Sequence, residues 1–96
     1  MNIIGGNFKL TWDAPDPSFQ VENTEIFEHV GDSYNLLQTV PQPDNLLQFV
    51  NVVPGQHNYV AKFHNAAGDS PAYSNEVQVI VVPLPAVLTN LALSLS

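Results

Sequence analysis

The chain has 96 residues, 45% of them hydrophobic, and its two basic residues against nine acidic ones give a net charge of −7. A chain of this length suits one domain with one hydrophobic core. Because phosphate binding depends on Lys and Arg, the charge argues against nucleic acid as a partner, and an anionic membrane would repel the same surface. The absence of Cys excludes disulfide scaffolds, thiolate metal sites and thiol catalysis.

Prolines and glycines divide the chain into short apolar runs. Eight Pro and five Gly separate these runs, a pattern typical of an all-β sandwich or barrel. No segment has a convincing helical period. The N-terminus lacks a basic start followed by a long apolar segment, so we predict no secretory signal peptide.

The first clear strand is predicted at residues 7–13, where alternate side chains are apolar. Phe8, Leu10 and Trp12 share one face of this strand. Two prolines in the run 13–17 end it, since Pro cannot donate to a sheet ladder. Turn residues separate the strands predicted next, at 19–29, 34–40 and 46–53.

The last predicted hairpin has the clearest pattern in the chain. It starts at Pro54-Gly55, a turn pair in which Pro fixes φ and Gly accepts a positive φ. On the strand after this turn, the residues predicted to face inward include His57, Tyr59 and Phe63. A turn cluster follows at 65–71. The partner strand alternates again, with inward-facing residues at Val77, Val79 and Val81.

These residues resemble the last hairpin of a fibronectin type III domain. The family pattern there is a Pro-Gly turn, a strand led by Tyr, then Asn-x-x-Gly-x-Ser and Ser-Asn-x-Val. This chain has Pro54-Gly55, Tyr59, Asn-Ala-Ala-Gly-Asp-Ser at 65–70 and Ser-Asn-Glu-Val at 74–77. The run Leu-Thr-Trp-Asp-Ala-Pro at 10–15 resembles the family's second strand with its core Trp.

The resemblance extends over about residues 7–82 and implies an immunoglobulin-like β-sandwich of about seven strands. It implies a core that contains Leu10, Trp12, Tyr59, Phe63 and Val77. After the Pro-Gly turn the family has a tyrosine corner, in which a side chain bonds back to the backbone. Either His57 or Tyr59 stands at that place in this chain, and both are expected to face inward.

Both ends of the chain depart from the family pattern. The family begins with strand A, upstream of the Trp strand, but only six residues precede Asn7 here, enough for a stub at best. Past the last strand, Leu91, Leu93 and Leu95 alternate with small and polar residues. We therefore predict a sandwich at 1–82 and a proline linker plus a C-terminal strand at 83–96. Strand A is then absent or supplied by the C-terminal segment.

Four interpretations of residues 83–96 remain open: a strand donated to another chain, a strand packed on its own domain, a disordered or fragment-end tail, and a membrane segment. Two prolines and the lack of a basic flank argue against the membrane. A return onto the same domain would cross about 30 Å, whereas a linker of four or five residues spans about 15–18 Å. We therefore predict self-association through Leu91, Leu93 and Leu95.

Few side chains are arranged for chemistry. His29, His57 and His64 lack metal-ligand spacing. No acidic pair has the context for acid–base catalysis, and no Ser lies in a nucleophile motif. We predict no enzymatic activity, no catalytic residue, no metal ligand and no cofactor. The turn after the long strand offers three residues for contact with a partner: Asp69, Ser70 and Tyr73.

The expected function is that of a non-catalytic structural or interaction module. What is known of the family, together with the acidic composition and the predicted lack of a signal peptide, favours a subunit of a phage virion, such as a tail, fibre or decoration protein. Its partners would be copies of itself and other proteins of the assembly, on the virion or an extracellular surface. One alternative is a monomeric adhesion module that binds carbohydrate or another ligand through its loops, which solvent-exposed Tyr34 and Tyr73 would favour. The other is one repeat excised from a longer extracellular protein.

Overall fold

The computed structural model describes residues 1–95 and contains two β-sheets and one short 3₁₀ helix. In chain order the strands are β1 (Asn2–Ile4), β2 (Phe8–Thr11), β3 (Asn23–Val30), β4 (Ser33–Pro41), β5 (Leu46–Phe49), β6 (Gly55–Asn65), β7 (Gly68–Asp69) and β8 (Val77–Val82). The 3₁₀ helix spans Pro17–Phe19. The chain is all-β, as predicted, and its two sheets are consistent with a β-sandwich.

The two sheets differ in size. The larger sheet has six strands in the order β1-β8-β6-β3-β4, with β7 paired to β6. The smaller sheet consists of β2 and β5, an antiparallel pair with Phe8 opposite Phe49 and Leu10 opposite Leu47. Among the strands that the structure describes, β2 therefore has a neighbour on one side only.

The core lies between the sheets. A buried cluster of Tyr59, Val79 and Val81 belongs to the larger sheet. The partly buried hydrophobic residues packed against it are Ile3, Phe8, Leu10, Phe49 and Val52. The rings of Phe8 and Phe49 stack with centroids 4.9 Å apart, and both lie against Tyr59. The predicted alternation of β2 is present, with Phe8 and Leu10 half-buried and Lys9 and Thr11 exposed.

One predicted core residue lies outside the core. Val77 is 39% exposed, whereas Val79 and Val81 on the same strand are buried. Val77 begins β8, on a side of the sandwich that no strand of the smaller sheet covers. Trp12 and Phe63, also predicted for the core, are half-buried.

Three predicted strands are shorter in the structure. The strand expected at 7–13 is limited to β2, Phe8–Thr11. The strand expected at 19–29 starts at Asn23, because the chain first forms the 3₁₀ helix, which Asp16 caps by accepting a hydrogen bond from the Ser18 N–H at 2.9 Å. The strand expected at 46–53 ends at Phe49. Asn51 has a φ of 55°, which interrupts extended backbone and which Asn tolerates better than most residues.

The N-terminal residues form a strand in the larger sheet. β1 pairs in parallel with β8, with Ile3 opposite Val81. The expected stub therefore exists, but it covers β8 and leaves β2 without a second neighbour. Gly6 lies where the chain crosses to the smaller sheet, and a Cβ there would come within 2.4 Å of the Val52 carbonyl oxygen. The crossing therefore requires glycine at this position.

The C-terminal residues form no strand. The structure has no ladder anywhere in the described residues 83–95. A strand packed on its own domain is therefore not seen in the single chain, and a strand donated to another chain stays a prediction. A strand needs hydrogen-bond partners along its backbone, and no other described segment of the chain pairs with this one. The periodicity of the leucines thus predicts which residues share a face, but not whether a partner is present.

Candidate functional site

The outer edge of β2 is open. The backbone N–H of Trp12 donates to the Asn45 carbonyl at 3.2 Å. Because hydrogen bonds alternate along an antiparallel ladder, Lys9 and Thr11 direct their N–H and C=O groups away from β5. No strand in the described part of the chain pairs with these groups. A free edge of this kind is a template for an added strand.

A groove begins beside this open edge at Leu10 and Thr11, passes Trp12 just beyond the end of β2, and continues to the turn at 65–71. It consists of three adjoining cavities of about 320, 220 and 470 Å³. The first two share Trp12 in their lining, and the second and third share Phe63. We call this feature the edge groove and define it by its apolar wall residues Leu10, Trp12, Phe63 and Val77. The exposure of Val77 follows, since it lines the groove instead of the core.

Two buried polar atoms beside the edge groove have no hydrogen-bond partner. They are the indole Nε1 of Trp12 and the hydroxyl of Thr24. Both residues line the middle cavity, and Thr24 is 1% exposed. An unsatisfied buried polar group costs about 1–3 kcal/mol. A polar backbone group brought into the groove could therefore stabilise it.

The residues predicted for self-association lie on an extended C-terminal segment. The chain measures 74 × 28 × 18 Å, whereas β6, its longest strand at 11 residues, spans only about 37 Å. Leu91, Leu93 and Leu95 are 87–96% exposed. Contiguous exposed apolar surface of this kind marks an interaction site. No helix among residues 1–95 combines the length and hydrophobicity needed to cross a bilayer.

The C-terminal segment leaves the sandwich at the end where β2 begins. Val82 pairs with Ile4 at that end. Pro83, Leu84 and Gly6 line one shallow cavity of about 170 Å³ there. From this end β2 runs back along the sandwich, antiparallel to β8. A segment folded back onto β2 of its own chain would therefore run parallel to β2.

His57, and not Tyr59, bonds back to the turn that precedes β6. The His57 Nε2 donates to the Val53 carbonyl at 2.8 Å, and Nδ1 lies 2.9 Å from a carboxylate oxygen of Glu28. Burial disfavours the charged ring, but the hydrogen bonds to Glu28 and Val53 and the charge of Glu28 outweigh it and raise the pKa of His57. Tyr59 faces the core, where burial and the Glu28 charge raise the pKa of its hydroxyl to about 12.

A second titratable cluster lies on the outer face of the larger sheet. The His64 Nδ1 is 2.8 Å from an Asp69 carboxylate oxygen. Together with a carboxylate oxygen of Glu25, these side chains offer three ligand atoms that all lie within 4.8 Å of one another. The pKa of Glu25 is raised by its hydrogen bond with Asp69, by burial and by the Asp69 charge. The pKa of Asp69 is lowered by its hydrogen bonds with Glu25 and His64. One imidazole and two carboxylates form a donor set that suits a divalent metal.

This cluster was missed by the sequence analysis, which predicted no metal ligand. Its three residues have no local spacing that indicates a site. The register of three strands brings them together: Glu25 is opposite Lys62 in the β3–β6 pair, and His64 is opposite Asp69 in the β6–β7 pair. Only correct strand pairing, which a single sequence does not supply, could have revealed the cluster.

The residues predicted for loop contacts are engaged within the chain. Asp69 pairs with His64 in the cluster just described. The Ser70 hydroxyl accepts from the Phe63 N–H at 3.1 Å and lies 3.3 Å from the Phe63 carbonyl. Tyr73 packs edge-on against Phe27, with ring centroids 5.3 Å apart. Ser70 thus extends the pairing along β6, and Tyr73 covers the outer face of the larger sheet.

Tyr34 and Tyr73 belong to a stack on that outer face. The centroids of His29 and Tyr34, and of Tyr34 and Tyr73, are each 4.2 Å apart, and the rings are nearly parallel. The Lys62 ammonium lies 4.2 Å from the Tyr73 centroid. Both faces of the Tyr34 ring are therefore covered, although its residue is 40% exposed. The stack presents ring edges to solvent.

Comparison of the chain with models of protein families, with curated proteins and with solved structures finds no match. Two parts of the described residues 1–95 have no packing or pairing partner within the chain. The outer edge of β2 has no neighbouring strand, and the C-terminal leucines are almost fully exposed.

Proposed function

We propose that this protein is a non-catalytic structural subunit that associates with copies of itself through its C-terminal segment. The observation that carries this proposal is the 87–96% exposure of Leu91, Leu93 and Leu95. Burial of one leucine side chain stabilises by about 1.5–3 kcal/mol. Three such side chains on one face offset a substantial part of the entropy lost on association.

We also propose that the sandwich is of the fibronectin type III kind. The support is the Trp12 strand in the smaller sheet and the Tyr59 strand after the Pro54-Gly55 turn in the larger one. The bond from His57 to the Val53 carbonyl resembles the tyrosine corner of that family, with His in place of Tyr. The parallel pairing of β1 with β8 is a departure from the family pattern.

The assembly that we propose is a larger particle such as a phage virion, in which the protein would be a tail, fibre or decoration component. Other proteins of the particle would be additional partners, and the location would be the virion or an extracellular surface assembly. The support is the net charge of −7, which keeps free subunits soluble and apart from nucleic acid until a specific contact forms.

The alternative of a monomeric adhesion or carbohydrate-binding module has less support. It needs an accessible aromatic face or a free polar loop. The ring faces of Tyr34 are covered by neighbouring rings, and Ser70 is hydrogen-bonded to β6. In the other alternative, one repeat of a longer protein, the same three leucines would contact an adjoining domain.

The test is the mass of the full chain in solution, measured by light scattering over a range of concentrations. The variant replaces Leu91, Leu93 and Leu95 together by Asp. The matched control replaces Asn90, Ala92 and Ser94 by Asp, which adds three negative charges to the same segment and keeps the leucines. We expect oligomers for the full chain and the control, and monomers for the leucine variant. A full chain that stays monomeric, or two variants that dissociate equally, would contradict the proposal.

A further inference from the structure

We propose that the edge groove of one copy is the acceptor for the C-terminal segment of a second copy. In the complex the segment pairs with β2 and becomes the missing outer strand of the smaller sheet. This inference rests on the proposed function, because it requires the C-terminal segment to be an assembly element. It adds the site at which that segment binds and the direction in which copies are joined.

The backbone of β2 offers the hydrogen bonds that such a strand needs. Lys9 and Thr11 direct one N–H and one C=O each toward the open side. β1, β4 and β5 also have free edges, but the cavity beside the β1 edge is shallow, about 170 Å³, whereas the edge groove that adjoins β2 starts with a cavity of about 320 Å³. The open side of β2 is therefore the place where an added strand gains ladder bonds and buries side chains at the same time.

The side-chain pattern of the C-terminal segment matches the edge groove. In a strand added to β2, alternate side chains point between the sheets. Leu91, Leu93 and Leu95 would then enter the groove, and the small and polar residues between them would face solvent. Alternate residues of a strand are about 6.8 Å apart. The cavity beside Leu10 and Thr11 adjoins a second cavity at Trp12, and that one adjoins a third at Phe63. The leucines would cover Val77, which is 39% exposed in the single chain.

Strand direction favours a second copy over the same chain. The segment leaves the sandwich where β2 begins, so on its own β2 it would run parallel, after a reversal within a linker that contains Pro83 and Pro85. A segment from another copy can approach in the antiparallel direction, which is the more stable pairing. Each copy would insert its C-terminal segment into the next, a head-to-tail contact that generates rings or filaments.

Disulfide cross-linking tests this assignment directly, because the chain has no Cys of its own. One preparation carries Thr11→Cys on the exposed face of β2, and a second carries Asn90→Cys, Ala92→Cys or Ser94→Cys, so that three registers are sampled. The control acceptor is Gln38→Cys on the free, exposed strand β4. The preparations are mixed, oxidised mildly, and analysed for mixed disulfides by mass spectrometry.

We expect at least one C-terminal position to cross-link to Thr11→Cys about tenfold more than to Gln38→Cys, because pairing raises the effective concentration of the two thiols. Equal yields at both acceptors would overturn the assignment. A chain that carries both Thr11→Cys and Ala92→Cys and forms only an intrachain disulfide at low concentration would overturn it as well, since the segment would then lie on its own β2.

A backbone variant separates failure of this inference from failure of the proposed function. Lys9→Pro removes an N–H that points away from β5 and leaves the β2–β5 ladder intact. We expect the full chain with Lys9→Pro to lose its oligomers while keeping its near-ultraviolet circular dichroism. If the leucine variant dissociates but Lys9→Pro does not, and Thr11→Cys has no cross-linking preference, self-association stands and the acceptor is elsewhere. A monomeric full chain would contradict both.

Discussion

The two sides of the sandwich are completed to different degrees. On one side β8 is covered by β1, a strand of three residues supplied by the N-terminus. On the other side β2 has an open edge with a groove beside it. The alternate valines of β8 differ in the same way, because Val79 and Val81 are buried and Val77 is 39% exposed.

The edge of β2 is open although the chain has residues that could have paired with it. The N-terminal residues could have continued beside β2, but the crossing at Gly6 commits them to β8. At the other end, residues 83–95 lead away from the sandwich with exposed leucines at alternate positions, and a φ of 58° at Asn90 bends the backbone just before Leu91. A sheet that lacks a strand, in a chain with an unused strand-like segment, is the arrangement expected for strand exchange between copies.

The largest expected difference between the two sides is in the free energy of unfolding. Val81→Ala removes buried methyl groups and should destabilise the domain by about 2 kcal/mol, whereas Val77→Ala on the open side should change it by less than about 1 kcal/mol. Urea denaturation of the monomeric leucine variant, followed by tryptophan fluorescence, measures both. The same substitution on the same strand makes each variant the control for the other. Equal destabilisation would mean that the open side is packed like the covered one.

A smaller effect is expected at His57, which ties the start of β6 to β3. Because its pKa is raised, the bond to Glu28 stabilises the fold fully below the unfolded pKa of about 6.5, and this contribution is lost as the pH rises through the folded pKa. His57→Gln should therefore cost about 1 kcal/mol more at pH 5.5 than at pH 8.5. Thermal unfolding at the two pH values measures this, with Glu28→Gln as the matched variant that removes the other partner. A cost that does not change with pH would contradict the proposed ion pair.

The sequence predicted local features of the fold well. The alternation of Leu10 and Trp12 with polar residues predicted β2, and the Pro54-Gly55 turn predicted where β6 begins, because both signals lie within a few residues. Pairings between distant segments were not predictable in the same way. The parallel register of Ile3 with Val81 joins the two ends of the chain, and nothing in local periodicity indicates which edge a short strand will cover.

Of the candidate site, only the part that depends on local sequence was predicted. The alternation of leucines identified the face of the C-terminal segment that would bind, since period 2 is local. The edge groove that we propose for it, and the cluster of Glu25, His64 and Asp69, depend on strand register. Tyr73 was expected at an exposed loop but packs against Phe27 on the outer face of the larger sheet, next to Ser74, whose N–H donates to the Ala61 carbonyl of β6.

Hydrogen exchange at β2 tests the central claim most directly. The amide hydrogens of Lys9 and Thr11 face the open edge, so in a free subunit they exchange as unpaired backbone groups. In the assembled full chain we predict that both become protected, while in the monomeric Leu91→Asp, Leu93→Asp, Leu95→Asp variant both exchange fast and the Leu10 amide stays protected by β5. An assembled chain in which the Lys9 and Thr11 amides exchange as fast as in the monomer would contradict strand addition at this edge.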